Sequence, residues 1–407
     1  AAGAYKSFGE PFTRTFPSRE NQEAMEAIVR ELHEQLVAGI ADGRELPPEQ
    51  VQRWLERAPL SADEALEAGF VDQLAYSDQV EEWLKERHGS ETSLRSFGAW
   101  SRLDGARRWF GRFGGPTTQV AVVHLQGPIV VENQARGAAI AARDVVPMLR
   151  GLRKDDRVGA VVLHVNSGGG SALASDLMWR EVDELARTKP VVAAFEDTAA
   201  SGGYYLAAPA AEILVRPGTL TGSIGVFGGK VVAAGGLSKL GIHTREILAA
   251  PNANLFSAGR GFTPAQRVRF KESLERTYAG FVKRVADGRG RPEDEIEPFC
   301  RGRVWTGRAA LGHHLADQVG NVRTAVKRAR DRAGLADTPI AVRHLSSYSM
   351  SMVSRVLKRV RPSFMAEFAP HWVQTWLRSL PSSRWLDLVL NHPEQALALL
   401  PFDLKVR

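Results

Sequence analysis

The sequence predicts an α/β protein built around a parallel sheet, with one structural unit present twice. Two observations carry the prediction. Short β-branched runs alternate with glycine loops and helical stripes across positions 119–260, and a pattern near position 42 returns at a constant distance further along the chain. Strand–glycine loop–helix units in succession imply parallel strands joined by right-handed crossovers. A fixed internal period marks a duplicated unit.

The strands come first in the argument. Gln119–Leu125, Gly159–Val165, Pro190–Glu196 and Glu212–Val215 are short runs rich in Val, Ile, Leu and Ala, which read as strands buried on both faces. Between them, Ser171–Lys189 reads as a helix with Leu173, Leu177, Val182 and Leu185 as its apolar stripe and Ser171 as its N-cap. Ser201–Ala208 reads as the start of another helix. In such a sheet the loops at the strand C-termini are the expected place for a site.

The repeat is read from identities. Ala41-Asp42-Gly43-Arg44 returns as Ala286-Asp287-Gly288-Arg289, an offset of 245. The same offset carries Pro47 to Pro292, Leu66 to Leu311, Asp72 to Asp317 and Gln73 to Gln318. The stripe Phe270, Leu274, Phe281, Val285 falls on Met25, Val29, Leu36, Ile40. Residues 1–90 are therefore expected to be the back half of a truncated first copy, and residues 119–340 a complete second copy. Residues 91–118 read as a linker whose Arg102, Arg107, Arg108 and Arg112 form a solvated face. Residues 341–407 read as an amphipathic tail, with Trp372, Trp376, Trp385 and the run Leu386–Leu390 packing on the protein or a neighbouring subunit or touching a membrane surface. The opening AAGAYKSFGEP, without Met or signal peptide, is that of a fragment or processed product.

Composition narrows the function classes. Of 407 residues, 44% are apolar and 24% charged, the balance of an ordinary globular protein. The net charge of +7 is spread along the chain without an aromatic-studded basic cluster, so nucleic acid is not an expected partner. A single cysteine, Cys300, excludes an intrachain disulfide and a cysteine metal site. No run approaches the roughly 20 apolar residues of a membrane-spanning helix.

Two glycine loops could carry chemistry: Asn166–Ser171, after the second strand, and Ala199–Tyr204, after the third. Their N–H groups can approach an anion at a helix N-terminus. No Gly-Lys-Ser/Thr follows, which excludes a Walker loop and leaves an oxyanion hole beside a nucleophile, Ser201. The histidines are poor bases for it. His124 and His164 lie inside strands with a packed core role expected, His313 and His314 in the helical back half, and His243 in a loop. None has metal-ligand spacing. Lysine remains, provided its pKa falls by about 3 units, roughly 4 kcal/mol of desolvation. The residues alone do not choose which lysine.

At this point the motifs resemble a known family. VNSGGG (165–170), TAASGGYYLAA (198–208), PGTLTGSIGVFG (217–228) and VWTGRAALGHHLADQVG (304–320) are similar to the signal peptide peptidase A family of serine–lysine proteases, peptidase family S49. AYKSFGEPFTR (4–14) resembles the lysine-bearing stretch of its long, duplicated form. The resemblance implies a crotonase/ClpP-like fold of repeated ββα units. It assigns Ser201 as nucleophile, Lys6 as general base, Ser223 as the serine that positions the lysine, and the amides of Gly169 and Gly202 as the oxyanion hole. One position departs: Gly168 stands where the family carries proline, which loosens the loop. Position 251, the repeat partner of Lys6, is Pro251, so a single site assembled from both copies is the consistent reading.

The resemblance further implies endopeptidic hydrolysis of hydrophobic peptides such as cleaved signal peptides, with no metal or other cofactor. It implies a bowl-shaped homo-oligomer, a tetramer, and the periplasmic face of a bacterial cytoplasmic membrane. Two other readings compete: an acyl-CoA hydratase or isomerase using Glu196 or Asp197, and an inactive scaffold.

Overall fold

The computed structural model describes residues 2–7, 9–10, 13–57, 60–75, 80–90, 118–132, 139–239, 252, 254–346 and 397–399. The four linker arginines, His243, Pro251, the three tail tryptophans and Leu386–Leu390 lie outside these residues. The chain forms two units, Ala1–Glu26 with Thr118–Arg407, and Ala27–Thr117.

In chain order the helices α1 (Arg19–Arg44), α2 (Pro48–Glu56), α3 (Ala62–Glu67) and α4 (Val80–His88) come first. Then follow β1 (Gln119–Gln126), β2 (Ile129–Val130), β3 (Ile140–Ala141), α5 (Ala142–Lys154), β4 (Val158–Ser167), β5 (Gly169–Ser171) and α6 (Ala172–Ala186). Next are β6 (Val191–Ala200), α7 (Gly202–Ala207), β7 (Glu212–Val215), β8 (Leu220–Gly222) and α8 (Ala234–Lys239). The last group is α9 (Pro264–Arg289), α10 (Glu293–Ile296), β9 (Val304–Thr306), α11 (Gly307–Gly312), β10 (Gln318–Val319), α12 (Val322–Arg332), β11 (Ala341–Ser346) and β12 (Leu397–Leu399).

The class is α/β, as the alternation predicts. The main sheet runs β10-β7-β6-β4-β1-β11, all parallel, with β8 parallel to the end of β6 and β9 antiparallel to β8. A small second sheet has the order β12-β5-β2-β3. Helices cover both faces of the main sheet, which is why its strands are apolar without alternation. On one face Val120, Val122, Val162, Val192 and Leu214 meet Ala325 and Ala329 of α12. On the other, Val123, Leu163 and Phe195 join Val145 and Leu149 of α5, Met178 and Val182 of α6, and Phe281 of α9 in one core.

Two expectations need correction. The stripe of α6 is Ala174, Met178, Val182 and Leu185, all buried, whereas Leu173 and Leu177 are 54% and 43% exposed. A 3.6-residue period puts 174, 178, 182 and 185 on one face, and the larger Leu173 and Leu177 lie one position off it. His124 and His164 are half-buried and not core. They form a row across the strands: His124 Nδ1 lies 2.9 Å from His164 Nδ1, His124 Nε2 lies 2.9 Å from His344 Nδ1, and His164 Nε2 lies 2.6 Å from a Glu196 oxygen. Burial and the two neighbouring imidazoles hold the His124 pKa below the usual histidine value.

The offset of the repeat reappears element by element. Helices α1 and α9 are both 26 residues long and begin and end 245 positions apart, and α3 and α11 keep the same offset. Ser61 caps α3 by accepting the Glu64 N–H, and Thr306 caps α11 by accepting the Ala309 N–H. The ion pair Arg44–Asp72, at 2.8 Å, has its counterpart in Arg289–Asp317, at 2.7 Å. The apolar stripes differ. Leu274, Phe281 and Val285 are buried, while Val29 and Leu36 are 58% and 52% exposed. Among the described residues of unit 27–117 there is no strand for that face to cover. That unit instead packs Val37, Ala41 and Val51 with Leu46, Leu55 and Phe70.

Candidate active site

Ser201 sits where β6 ends and α7 begins, at φ 54° and ψ −118°. This backbone region strains any residue with a Cβ. It is held there by two main-chain bonds: the Ser201 N–H donates to Gly222 O at 2.8 Å, and the Tyr205 N–H donates to Ser201 O at 2.8 Å. The glycines around it are demanded by close approach. A Cβ on Gly202 would lie 2.5 Å from Ser175 Oγ and 3.3 Å from Gly169 Cα, and one on Gly203 would lie 2.7 Å from Ser167 O. Gly169 has φ +100°, open only to glycine. The two glycine loops thus meet backbone to backbone.

Lys6 reaches this turn from the start of the chain. Its Nζ lies 3.0 Å from Ser201 Oγ, 2.8 Å from Ser223 Oγ and 3.2 Å from Ser223 O. Lys6 is 4% exposed and both serines 0%. A neutral amine carries two N–H groups and one lone pair. Two acceptors on Ser223 and one hydroxyl on Ser201 match that inventory. Burial holds the Lys6 pKa well below the ordinary lysine range, and none of its described partners is a carboxylate that would restore the charge.

The main chain fixes Lys6 through residues 301–303. The Tyr5 N–H donates to Arg301 O at 2.9 Å, the Ser223 N–H donates to Arg303 O at 2.7 Å, and the Gly302 N–H donates to Ile224 O at 2.7 Å. Ala2 and Val226 exchange a pair of bonds in an antiparallel bridge. Gly302 has φ +78°, and a Cβ there would lie 2.8 Å from both Lys6 N and Lys6 Cβ.

The oxyanion donors expected from the sequence are adjacent, but the Gly169 N–H donates to Ser167 Oγ at 3.1 Å. Ser167 and Gly302 were not singled out by sequence reasoning. Their signals were a serine ahead of the glycine run and a glycine between two arginines, neither distinctive alone. Glu196 is engaged elsewhere, with His164 and with Arg216 at 3.1 Å, and the Asp197 side chain is 79% exposed. Cys300 is buried, and burial pushes its thiol up to about 12.

The model of peptidase family S49 matches residues 1–91 and 183–336. Lys6 falls in the first stretch, Ser201, Gly202 and Ser223 in the second, and Gly169 between them. Serine protease SPPA, chloroplastic, of Arabidopsis thaliana is 33% identical over 338 residues, covering 82% of this chain and 50% of that protein. Protease 4 of Salmonella typhi is 32% identical over 342 residues, covering 82% of this chain and 54% of that protein. Protease 4 of Haemophilus influenzae is 27% identical over 381 residues, covering 87% and 60%. The chain spans between half and three fifths of the length of these relatives. A solved ClpP1 mutant from Listeria monocytogenes is similar at 15% identity and a TM-score of 0.34, over 51% of this chain and 94% of that one.

Proposed function

The chain belongs to peptidase family S49, and from that premise we propose that it is a serine endopeptidase with Ser201 as nucleophile and Lys6 as general base. One observation carries the reading: a buried, uncharged-favouring amine 3.0 Å from the hydroxyl of a strained serine. In the proposed reaction the Lys6 lone pair takes the Ser201 proton as Oγ attacks the scissile carbonyl. The Ser223 hydroxyl and carbonyl hold the two remaining N–H bonds, which aims the lone pair. The oxyanion is held by the Gly202 N–H, and by the Gly169 N–H once it leaves Ser167 Oγ. The Lys6 ammonium then protonates the leaving amine, and water repeats the sequence on the acyl-enzyme.

The strand β12 supports an extended peptide as ligand. It pairs antiparallel with β5, Leu397 opposite Ser171 and Leu399 opposite Gly169, the residue against which Gly202 packs. The same reading takes hydrophobic peptides as substrates, cleaved signal peptides among them. It takes a homo-oligomer on the outer face of a cytoplasmic membrane as the working form. These two elements rest on the family alone. No helix among the described residues is long and apolar enough to cross a membrane. The hydratase reading is disfavoured because Glu196 is tied to His164 and Arg216.

A fluorophosphonate probe tests the assignment directly. The expected result is one adduct, mapped by mass spectrometry to Ser201, forming faster as pH rises toward the Lys6 pKa. Peptide hydrolysis with no adduct on Ser201 would sink it. Gly302→Ala supplies a second test: its methyl group must displace the Lys6 backbone, and a shift near 1 Å lowers kcat about 100-fold. An unaffected kcat in the folded variant would show that Lys6 placement does not matter.

A further inference from the structure

We infer that Arg303 is a positioning residue that clamps the Lys6 segment in register with Ser223, acting together with Tyr5 and Glu23. The inference rests on the Ser201–Lys6 reading and adds to it the element that holds the base in place. The hydrogen bonds of Lys6 Nζ go to Ser201 and Ser223 and not to Arg303. The link runs through both ends of the Lys6 hydrogen-bond set.

One end is the main chain. The Arg303 carbonyl accepts the Ser223 N–H at 2.7 Å, so the residue that binds Lys6 Nζ twice is pinned to Arg303. Ser223 has φ 50°, a conformation that depends on such an outside anchor. The other end is the side chain. The Arg303 guanidinium carbon lies 5.0 Å from the centroid of the Tyr5 ring, immediately before Lys6, and 4.3 Å from the Trp305 ring on β9. It donates to Glu23 Oε1 at 2.8 Å, and the Tyr5 hydroxyl donates to the same carboxylate at 3.3 Å. Tyr5, Arg303 and Glu23 thus close a triangle.

The guanidinium is well suited to this position. Its plane can stack on an aromatic ring while its edge pairs with a carboxylate, and a lysine ammonium does only the second. The Arg303 side chain is 19% exposed, which strengthens the contacts relative to open water, whereas Glu23 is 50% exposed and contributes less. Arg303 Nε is buried with no hydrogen-bond partner, as expected of a guanidinium held by rings and not by acceptors alone. The main-chain bridges tie down the backbone of the Lys6 segment, and the triangle ties down the side chain next to Lys6.

The test compares Arg303→Met, Arg303→Lys, Tyr5→Leu and Glu23→Gln with the unmodified chain, reading kcat and KM on a fluorogenic peptide, the pH profile, and the melting temperature. Arg303→Met and Tyr5→Leu are expected to lower kcat about 10- to 100-fold with KM within about twofold. The acid limb of the profile should move to higher pH, because a loosened Lys6 is better hydrated and holds its proton longer. Arg303→Lys should recover part of the loss and Glu23→Gln should lose least. A purely structural role would lower the melting temperature and leave the limb in place. Folded Arg303→Met with unchanged kcat and an unmoved limb overturns the inference. If Arg303→Met does not fold, Tyr5→Leu decides by the same two readouts. Ser201→Ala and Lys6→Met run in the same assay separate the two failures: activity retained there removes the dyad itself, while activity lost there with Arg303→Met normal removes only the clamp.

Discussion

Ser201→Ala is expected to lower kcat about 10⁵-fold or more while leaving the fold intact. The alanine methyl fits wherever the serine Cβ sits, so packing is unchanged, and the loss is that of the proposed nucleophile. Stability adds a second and more discriminating outcome. With φ 54° and ψ −118°, position 201 stores backbone strain that alanine keeps and glycine releases. Ser201→Gly should therefore be more stable than Ser201→Ala by about 1 kcal/mol in urea denaturation, and equally inactive. Equal stability of the two variants would mean the turn is not strained. Residual hydrolysis near the unmodified rate would mean Ser201 is not the nucleophile.

Lys6→Met is expected to lower kcat about 10³-fold or more, since it removes the proposed base from both proposed half-reactions. It should also change how stability depends on pH. The Lys6 pKa is lowered in the folded state by burial, so between that value and the unfolded-chain value near 10.4 the unfolded chain binds the additional proton. Stability must then rise with pH across this window and fall as pH is lowered through it. Lys6→Met lacks this slope. Denaturation at pH 7, 8, 9 and 10 should show the unmodified chain gaining on the variant as pH rises. A constant difference would mean that Lys6 is not desolvated.

The strands and both glycine loops were legible in the sequence because burial on two faces writes an unbroken apolar run, as in Val120–Val123 and Val191–Phe195. The repeated identities were legible because a local ion pair keeps both of its residues at the same offset: Arg44 with Asp72, Arg289 with Asp317. The stripe of α6 was misread because Leu173 and Leu177 outweigh Ala174 and Met178 in apolar surface, although helical phase decides which pair faces inward. The histidine row was invisible for another reason. His124, His164 and His344 come together only through strand order, and the position of β11 beside β1 is not written in any local pattern. Lys6 is the extreme case. Nothing in its neighbourhood marks it, and only resemblance to a family selected it among the lysines. Its surroundings are supplied by Ser201, Ser223 and residues 301–303, which is long-range information that spacing cannot encode.

That separation has a bearing on biosynthesis. Tyr5 and the arginine that brackets it lie 298 positions apart. At roughly 5–20 residues per second a ribosome needs about 15–60 s to cover that interval. During this time the nascent polypeptide holds a hydrated, protonated lysine with no partner to desolvate it. Translation itself therefore acts as a timer. On the proposed dyad, Lys6 meets its partners only once residues 301–303 have emerged, when nearly the whole sheet-bearing unit has been made.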